Sequence, residues 1–531
     1  MRRALAALIV FVTLACVHTW PLASNPAHLS RNDNADTVLN TWAIAWVAHE
    51  LPRHPTRLFD ANIFYPERRS LGYSEAMIVQ GVLAMPVLAA GGSPVLAYNL
   101  VLLAGFALTG WAFWWLVRRW TGSEGAAYVA GSAAAFNAHV LVRLPHLQTQ
   151  HPEFIALALF ALDRLLTDAR AKSAVVLAVA YALQALTSVY LLVFTTWLLM
   201  FAALGRAREW LTGDRRRTAW LLAGAGVLAA VLLAPYLGAY LEIRRTLGFE
   251  RGVGDSQEYA ASWVDYLATG GRLHYGLWSA PFVGRTISDN FPGVTAFALA
   301  TLAFVWDGTP RDRRVRMCAL AALGCIAVSL VPRTPIFPAL YAVIPLFRAV
   351  RVISHIGQLV LLMVAVLAGF GTAGLLRRIQ QADTRWAVAV AAVALVNIEA
   401  LRAPLDYERF DQISAVYDVI AREPRAVVVE LPFFEARQSF ANARYMLNST
   451  RHWKPLLNGY SGFRPPSYDV TYEAIRDFPE EAALRALRAQ GVTHVVLHQS
   501  MLPEPTMASA ARAYGLHLLA EEDGIVIYRL E

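Results

Sequence analysis

Lysine is almost missing from this chain: of 47 basic residues only Lys172 and Lys454 are lysines. Cysteine is scarce as well. Cys16, Cys318 and Cys325 are the three in 531 residues, and each falls inside an apolar run. That pattern implies neither a disulfide framework nor a cysteine metal site and leaves small apolar filler as their role. Charge of either sign is thin at 16%, against about 25% in soluble domains, while hydrophobic residues reach 56%. Together these shortages exclude a disordered chain, a collagen-like fibre and an ordinary cytosolic enzyme. Glycine-rich phosphate loops are missing too. There is no P-loop, dinucleotide fingerprint, nucleophile elbow or His-Glu-x-x-His. ATP therefore has no visible receptor, which argues against a primary pump. No fixed-period repeat, low-complexity tract or Gly/Ser linker occurs.

What the chain does have is long charge-poor runs, such as 96–117 and 354–376. A hydrocarbon layer roughly 30 Å thick requires such runs. Eleven spans are expected, at about 4–23, 96–117, 124–141, 152–166, 172–189, 190–204, 219–241, 291–306, 316–331, 354–376 and 386–402. Charge sets their direction. Residues 1–402 hold 34 basic and 22 acidic residues, and 19 of the basic ones cluster at the N-terminus and in alternate connections. Arg118 and Arg119, Arg215 to Arg217, and Arg377 and Arg378 are examples. By the positive-inside rule these ends are cytoplasmic, and an odd span count places the C-terminal region outside. A nucleic-acid binder would gather its cations on one soluble face, so nucleic acid is not an expected partner. Residues 76–90 and 336–347 are too short or too broken by Pro and Gly to cross. They are expected as interfacial or re-entrant helices on the outer side.

The tail differs in kind. Residues 403–531 hold 13 basic and 17 acidic residues. Buried strands are expected near 426–431, 493–497 and 524–528, with helices at 411–422 and 480–490. The chain thus divides into a membrane domain, 1–402, and a small extracytoplasmic α/β domain, 403–531.

The candidate chemistry lies on the outer side. Arg31-Asn-Asp33-Asn-Ala-Asp36 follows the first span. Either carboxylate can be a helix cap or first-turn charge. Either can also take a proton from an attacking hydroxyl, and the pair can hold a divalent cation. Glu75 opens the interfacial stretch, where it is a first-turn charge or orients an acceptor or metal. The short loop Arg143-Leu-Pro-His146-Leu-Gln-Thr-Gln-His151-Pro-Glu153 is dense in titratable groups. It is a solvated loop, or a place where His146 and His151 bind phosphate or assist proton transfer. A zinc site with Asp36 is conceivable but no spacing requires it. Arg348, Arg351 and His355 lie outside, against the positive-inside trend. Arginine forks bind phosphate, and snorkelling to headgroups is the alternative. The third outer loop carries Trp263, Tyr266, His274, Tyr275, Trp278 and Asp289-Asn-Phe-Pro-Gly293, an interfacial aromatic belt or an unspecific sugar-stacking surface.

The layout resembles the GT-C superfamily of polyprenyl-phosphate-dependent glycosyltransferases, in the bacterial branch related to protein O-mannosyltransferases and aminoarabinose transferases. The resemblance covers roughly 1–402. It rests on Asp33 and Asp36 in the first external loop, the 75–94 stretch before Asn99, the turn Arg118-Arg119-Trp-Thr-Gly-Ser-Glu-Gly-Ala-Ala127 and the 143–151 loop. It implies a multi-pass α-helical, GT-C-like protein of the bacterial cytoplasmic (inner) membrane. Such a protein moves a sugar, with inversion, from a polyprenyl-phosphate donor to a glycan, lipid or protein acceptor of the envelope. By position, Asp36 is the base, with Asp33 beside it or on Mg or Mn. Arg348 and Arg351 neutralise the leaving phosphate, and Arg143, His146 and His151 complete the cavity. The carboxylates are spaced Asp-x-x-Asp rather than adjacent, which leaves open which is the base. A transporter or flippase of lipid-linked sugars and a non-catalytic envelope assembly protein are the competing readings. Candidate charges at the outer interface, and no inverted repeat, weigh against transport.

Overall fold

A computed structural model describes residues 1–31, 34–248, 252–305, 311–501 and 515–530; Asp33 lies outside the described residues. The protein is a mostly helical membrane protein with a small C-terminal sheet. Among the described residues five helices are long and apolar enough to cross a membrane: Pro94–Thr121, Glu124–Val142, Arg215–Leu247, Arg313–Arg333 and Ile353–Arg378. Shorter apolar helices cover Ile78–Ala89, Ala171–Thr187, Val189–Leu204 and Val294–Val305. The other six expected spans overlap the helices Arg2–His18, Glu153–Asp168, Ala171–Thr187, Val189–Leu204, Val294–Val305 and Ala382–Ala400, none of which is among those five, so eleven crossings would need all six to cross as well. The expected non-crossing pieces are the helices Ile78–Ala89 and Phe337–Val343.

The chain forms two compact units. The first comprises Met1–Ser24, Leu102–Leu237 and Phe249–Leu405, and the second Asn25–Val101, Gly238–Gly248 and Asp406–Glu531. The boundary expected at 402/403 falls near the last crossover, and the first loop clusters with the C-terminal segment.

In the first unit, the helix Gly357–Arg378 is buried almost throughout and packs on Glu124–Ala135, Val294–Val305 and Arg313–Leu330. Among apolar helices in lipid, close backbone approach is a main source of association. Gly371 provides it, because a Cβ there would run into the Leu299 carbonyl. A charged knot ties together the basic ends. Asp163, fully buried, meets Arg206 Nη1 at 2.5 Å and Arg314 Nε at 2.9 Å. Glu209 joins Arg206 at 3.3 Å and Arg316 at 2.6 Å.

In the second unit, strands Val428–Leu431 and His494–His498 run parallel. Ile525–Arg529 pairs antiparallel with the latter, and His517–Glu522 forms the far edge. Three of these strands lie where expected; the exposed edge strand was not anticipated. The first loop is stitched to this domain by backbone bonds. Leu29–Ser30 pairs with Glu408–Arg409, Phe64 N donates to Asn458 O at 3.1 Å and Tyr65 N to Leu456 O at 3.0 Å. The helix Ala35–Glu50 packs on Ile78–Ala89 and on Asn442–Ser449. Asn62 fastens the joint, accepting from Trp42 Nε1 and donating to Ser449 Oγ and Lys454 O.

Candidate functional site

Two groups of polar residues stand out, one in each unit. In the first, the helix Glu124–Ala135 breaks at Phe136, and Asn137 caps the short helix Ala138–Val142 by accepting from Val140 N. The break presents His139, fully buried, and leaves Arg143 at the helix end. The following loop is nailed down. The Gln150 amide donates to Val140 O and Arg143 O at 3.1 and 2.9 Å, and Gln358 donates to Thr149 O at 2.7 Å. Opposite, Asp265 shapes the 286–290 loop, accepting from Ile287 N and Ser288 N at 3.1 and 2.9 Å. Arg143 crosses to that loop and donates to Ile287 O at 3.0 Å.

Around Arg143 the polar groups gather. His139 Nδ1 and Asn290 Oδ1 are 3.1 Å apart. The His139 and His355 rings meet edge to face at 5.5 Å, and Tyr190 lies 6.0 Å from His355. Arg143, His139, His146 and Arg351 are all within electrostatic reach of His355. Asp289, buried, feels both Arg402 and Arg143. Burial pushes its carboxyl above the usual range, and the two arginines and the Thr286 hydroxyl pull it back. Burial lowers the Arg143 guanidinium to about 10, opposed by Asp289 and Tyr190, so it is charged at pH 7. Four buried atoms here have no hydrogen-bond partner among the described residues: His139 Nε2, His355 Nε2, Asp289 Oδ2 and Asn290 Nδ2. Buried polar atoms are nearly always satisfied, so such a concentration is what a polar ligand or ordered water would complete. With arginine as the fixed charge, the group suits an oxyanion.

The other expected residues of this unit are placed differently. His151 pairs with Glu153 at 3.0 Å, both buried. Arg348 is exposed and lies against backbone, donating to Tyr341 O at 2.9 Å and to Ala342 O. Arg351, also exposed, sits over the Tyr259 ring at 4.9 Å.

In the second unit, Asn34 is the N-cap of Ala35–Glu50, its side chain accepting from Asp36 N at 2.9 Å. Asp36 therefore occupies the first turn without serving as the cap. Its Oδ1 accepts from the Tyr460 hydroxyl at 2.9 Å, and buried Tyr98 lies within electrostatic reach of Asp36, as it does of Tyr407 and Arg31. Glu75 is buried and precedes Met77, the N-cap of Ile78–Ala89, so it is not a first-turn charge of that helix. Among the described residues no group of three or more His, Cys, Asp or Glu side chains is placed to hold a metal ion.

Of the residues expected from the sequence, Arg143, His146 and His355 come together; Asp289 and Asn290 read there only as part of the aromatic third loop, and His139, Arg402, Tyr190 and Tyr460 are not singled out. His139 had a usable signal: a histidine inside an expected span is unusual enough to ask for a role. Tyr460 had none, since its tie to Asp36 joins residues far apart in the chain.

No protein-family model and no curated protein sequence matches the chain. Among solved structures it is similar to the arabinofuranosyltransferase AftD from Mycobacteria, with a TM-score of 0.59 and 16% identity, over 100% of this chain and 40% of that one. A mutant form of AftD gives 0.60 and 16%, over 100% and 41%. ArnT from Cupriavidus metallidurans, bound to undecaprenyl phosphate, gives 0.49 and 14%, over 98% of each chain. The chain thus spans about two fifths of AftD's length and shares its fold.

Proposed function

We propose that this chain is a membrane glycosyltransferase that moves a sugar from a polyprenyl-phosphate donor to an envelope acceptor on the outer face of a bacterial cytoplasmic membrane. The observation that carries the reading is the Arg143 group: a fixed guanidinium among His139, His355 and Asn290 with buried polar atoms left to satisfy, on a fold shared with an arabinofuranosyltransferase. Arg143 would hold the donor phosphate and stabilise the charge that develops on it as it leaves, and His146 and His355 would contribute beside it. Asp36, steadied by Tyr460, would take the proton of the acceptor hydroxyl. The acceptor oxygen then bonds to the anomeric carbon from the face opposite the phosphate. The carbon–oxygen bond to phosphate breaks, its electron pair leaves with the lipid phosphate, and configuration inverts.

Roles for Glu75, His151, Arg348 and Arg351 in binding donor or acceptor remain part of the proposal, with Asp33 as the alternative base. So does a divalent cation on Asp36 and Asp33, whose test is loss of transfer on chelation and recovery with Mg or Mn. The experiment for the main reading offers purified protein a panel of polyprenyl-phosphate sugars with extracted envelope acceptors and follows release of lipid phosphate. Release that depends on acceptor supports transfer; no release with any donor would overturn it in favour of transport or assembly.

A further inference from the structure

A groove of about 380 Å³ lies apart from these residues, within the first unit. Its walls are Leu177 and Tyr181 from Ala171–Thr187, Leu192 and Leu199 from Val189–Leu204, and one face of Arg215–Leu247 from Leu222 to Leu237. That last helix is only 22% buried along its apolar window, so the groove faces the surroundings of the bundle. It is cut by small residues. Ala225, Ala229 and Ala230 line it, and a side chain added at Gly226 would meet nothing within 4 Å. Fifteen residues at 1.5 Å each make it about 22 Å long, more than one leaflet's share, about 15 Å, of the hydrocarbon core. That is the length of an extended acyl chain.

Charge marks one end. Leu222 lies five residues, about 7.5 Å, beyond Arg217, and Leu177 the same distance beyond Lys172. Arg215, Arg216, Arg217 and Lys172 are all exposed. The carboxylates nearby are engaged: Asp214 accepts from Arg217 N at 3.1 Å, and Glu209 is held by Arg206 and Arg316. Four cations without carboxylate ion pairs among the described residues, a turn or two from the end of an apolar slot, repeat the layout of a phospholipid, phosphate at one end and chain at the other.

We propose that this groove is a specific site for one anionic phospholipid of the leaflet that these basic ends face, its phosphate on Arg215–Arg217 and Lys172 and one acyl chain along Leu222–Leu237. The site is independent of the sugar-transfer reading. Native mass spectrometry of the full chain, purified in mild detergent and supplied with phosphatidylglycerol or phosphatidylethanolamine, tests it. One retained phosphatidylglycerol per chain is expected, in preference to phosphatidylethanolamine. Gly226→Leu fills the groove and favours the helix, so it should fold and lose the lipid. Replacing Arg215, Arg216 and Arg217 together by Gln should weaken retention about a hundredfold, at about fivefold per cation. Val227→Leu, on an exposed neighbouring position, should retain it. Equal retention of both lipids, or retention unchanged in Gly226→Leu, would overturn the proposal.

Discussion

Asp163→Asn removes one charge and almost no volume from the knot at the basic helix ends. Asp163 and Arg206 are both fully buried, and Arg314 is about four-fifths covered. Deleting one partner of a buried ion pair costs about 3–5 kcal/mol, because the remaining charge has lost its counter-ion. Arg206 keeps Glu209 at 3.3 Å and Thr167 Oγ1 at 3.1 Å, so the lower end, about 3 kcal/mol, is expected. At about 2.1 cal/mol/K of unfolding entropy per residue, the roughly 320 residues of the first unit shift by about 1.5 °C per kcal/mol, a fall of about 4–5 °C in melting midpoint. Arg206→Met should cost a similar amount by removing the one fully buried partner of Asp163 and leaving it Arg314 at 2.9 Å and Arg313 at 3.9 Å, both partly exposed. The double variant Asp163→Leu/Arg206→Met removes both buried charges. Arg314 can then turn to water, so the double should lie within about 1 kcal/mol of the parent. Tryptophan fluorescence on heating in mild detergent would read all four proteins. If the losses of the single variants add in the double, the two residues are not coupled and the reasoning fails.

Three further outcomes follow from particular contacts. Burial holds the His452 pKa at about 3, so below about pH 6.5 the unfolded chain takes up a proton that the native state refuses. Stability should therefore fall by about 1.4 kcal/mol per pH unit from 6.5 towards 3, and His452→Gln should flatten that slope in denaturant titrations at stepped pH. An unchanged slope would remove His452 from the account. A Cβ at Gly105 would lie 2.6 Å from Gln150 O and 3.0 Å from His151 Nε2. Gly105→Ala should thus cost about 1–3 kcal/mol and lower activity by shifting the loop that carries Arg143, whereas full activity with parent stability would show that the loop has slack. Arg143→Lys keeps the charge and loses the fork. It should raise KM for the donor about ten- to a hundredfold, the worth of one charged hydrogen bond, and an unaltered KM would move the phosphate elsewhere.

The helices were legible because apolar runs of this length have few other uses, and the three buried strands because Val428 and Val429, Val495 and Val496, and Val526 and Ile527 are continuously apolar. His517–Glu522 escaped because an edge strand facing water needs no apolar pattern. The joining of the first loop to the C-terminal segment also escaped. It is made by backbone bonds such as Leu456 N to Asn62 O at 2.6 Å, and backbone groups carry no sequence signature. At the site, charge out of place in the topology pointed to Arg143 and His355. His139 was passed over because the span around it is otherwise apolar, and Asn290 because its loop reads as an aromatic belt; the two meet only in the fold.

The central claim is that sugar leaves a lipid phosphate with Asp36 acting on the acceptor. Its most direct measurement is the anomeric configuration and rate of product formation by the purified protein and by Asp36→Asn, for a donor that the parent accepts. The account predicts an inverted linkage and a rate lowered at least a hundredfold in Asp36→Asn, the worth of a positioned general base, with donor binding retained. A retained configuration, or a variant that transfers at the parent's rate, would contradict it.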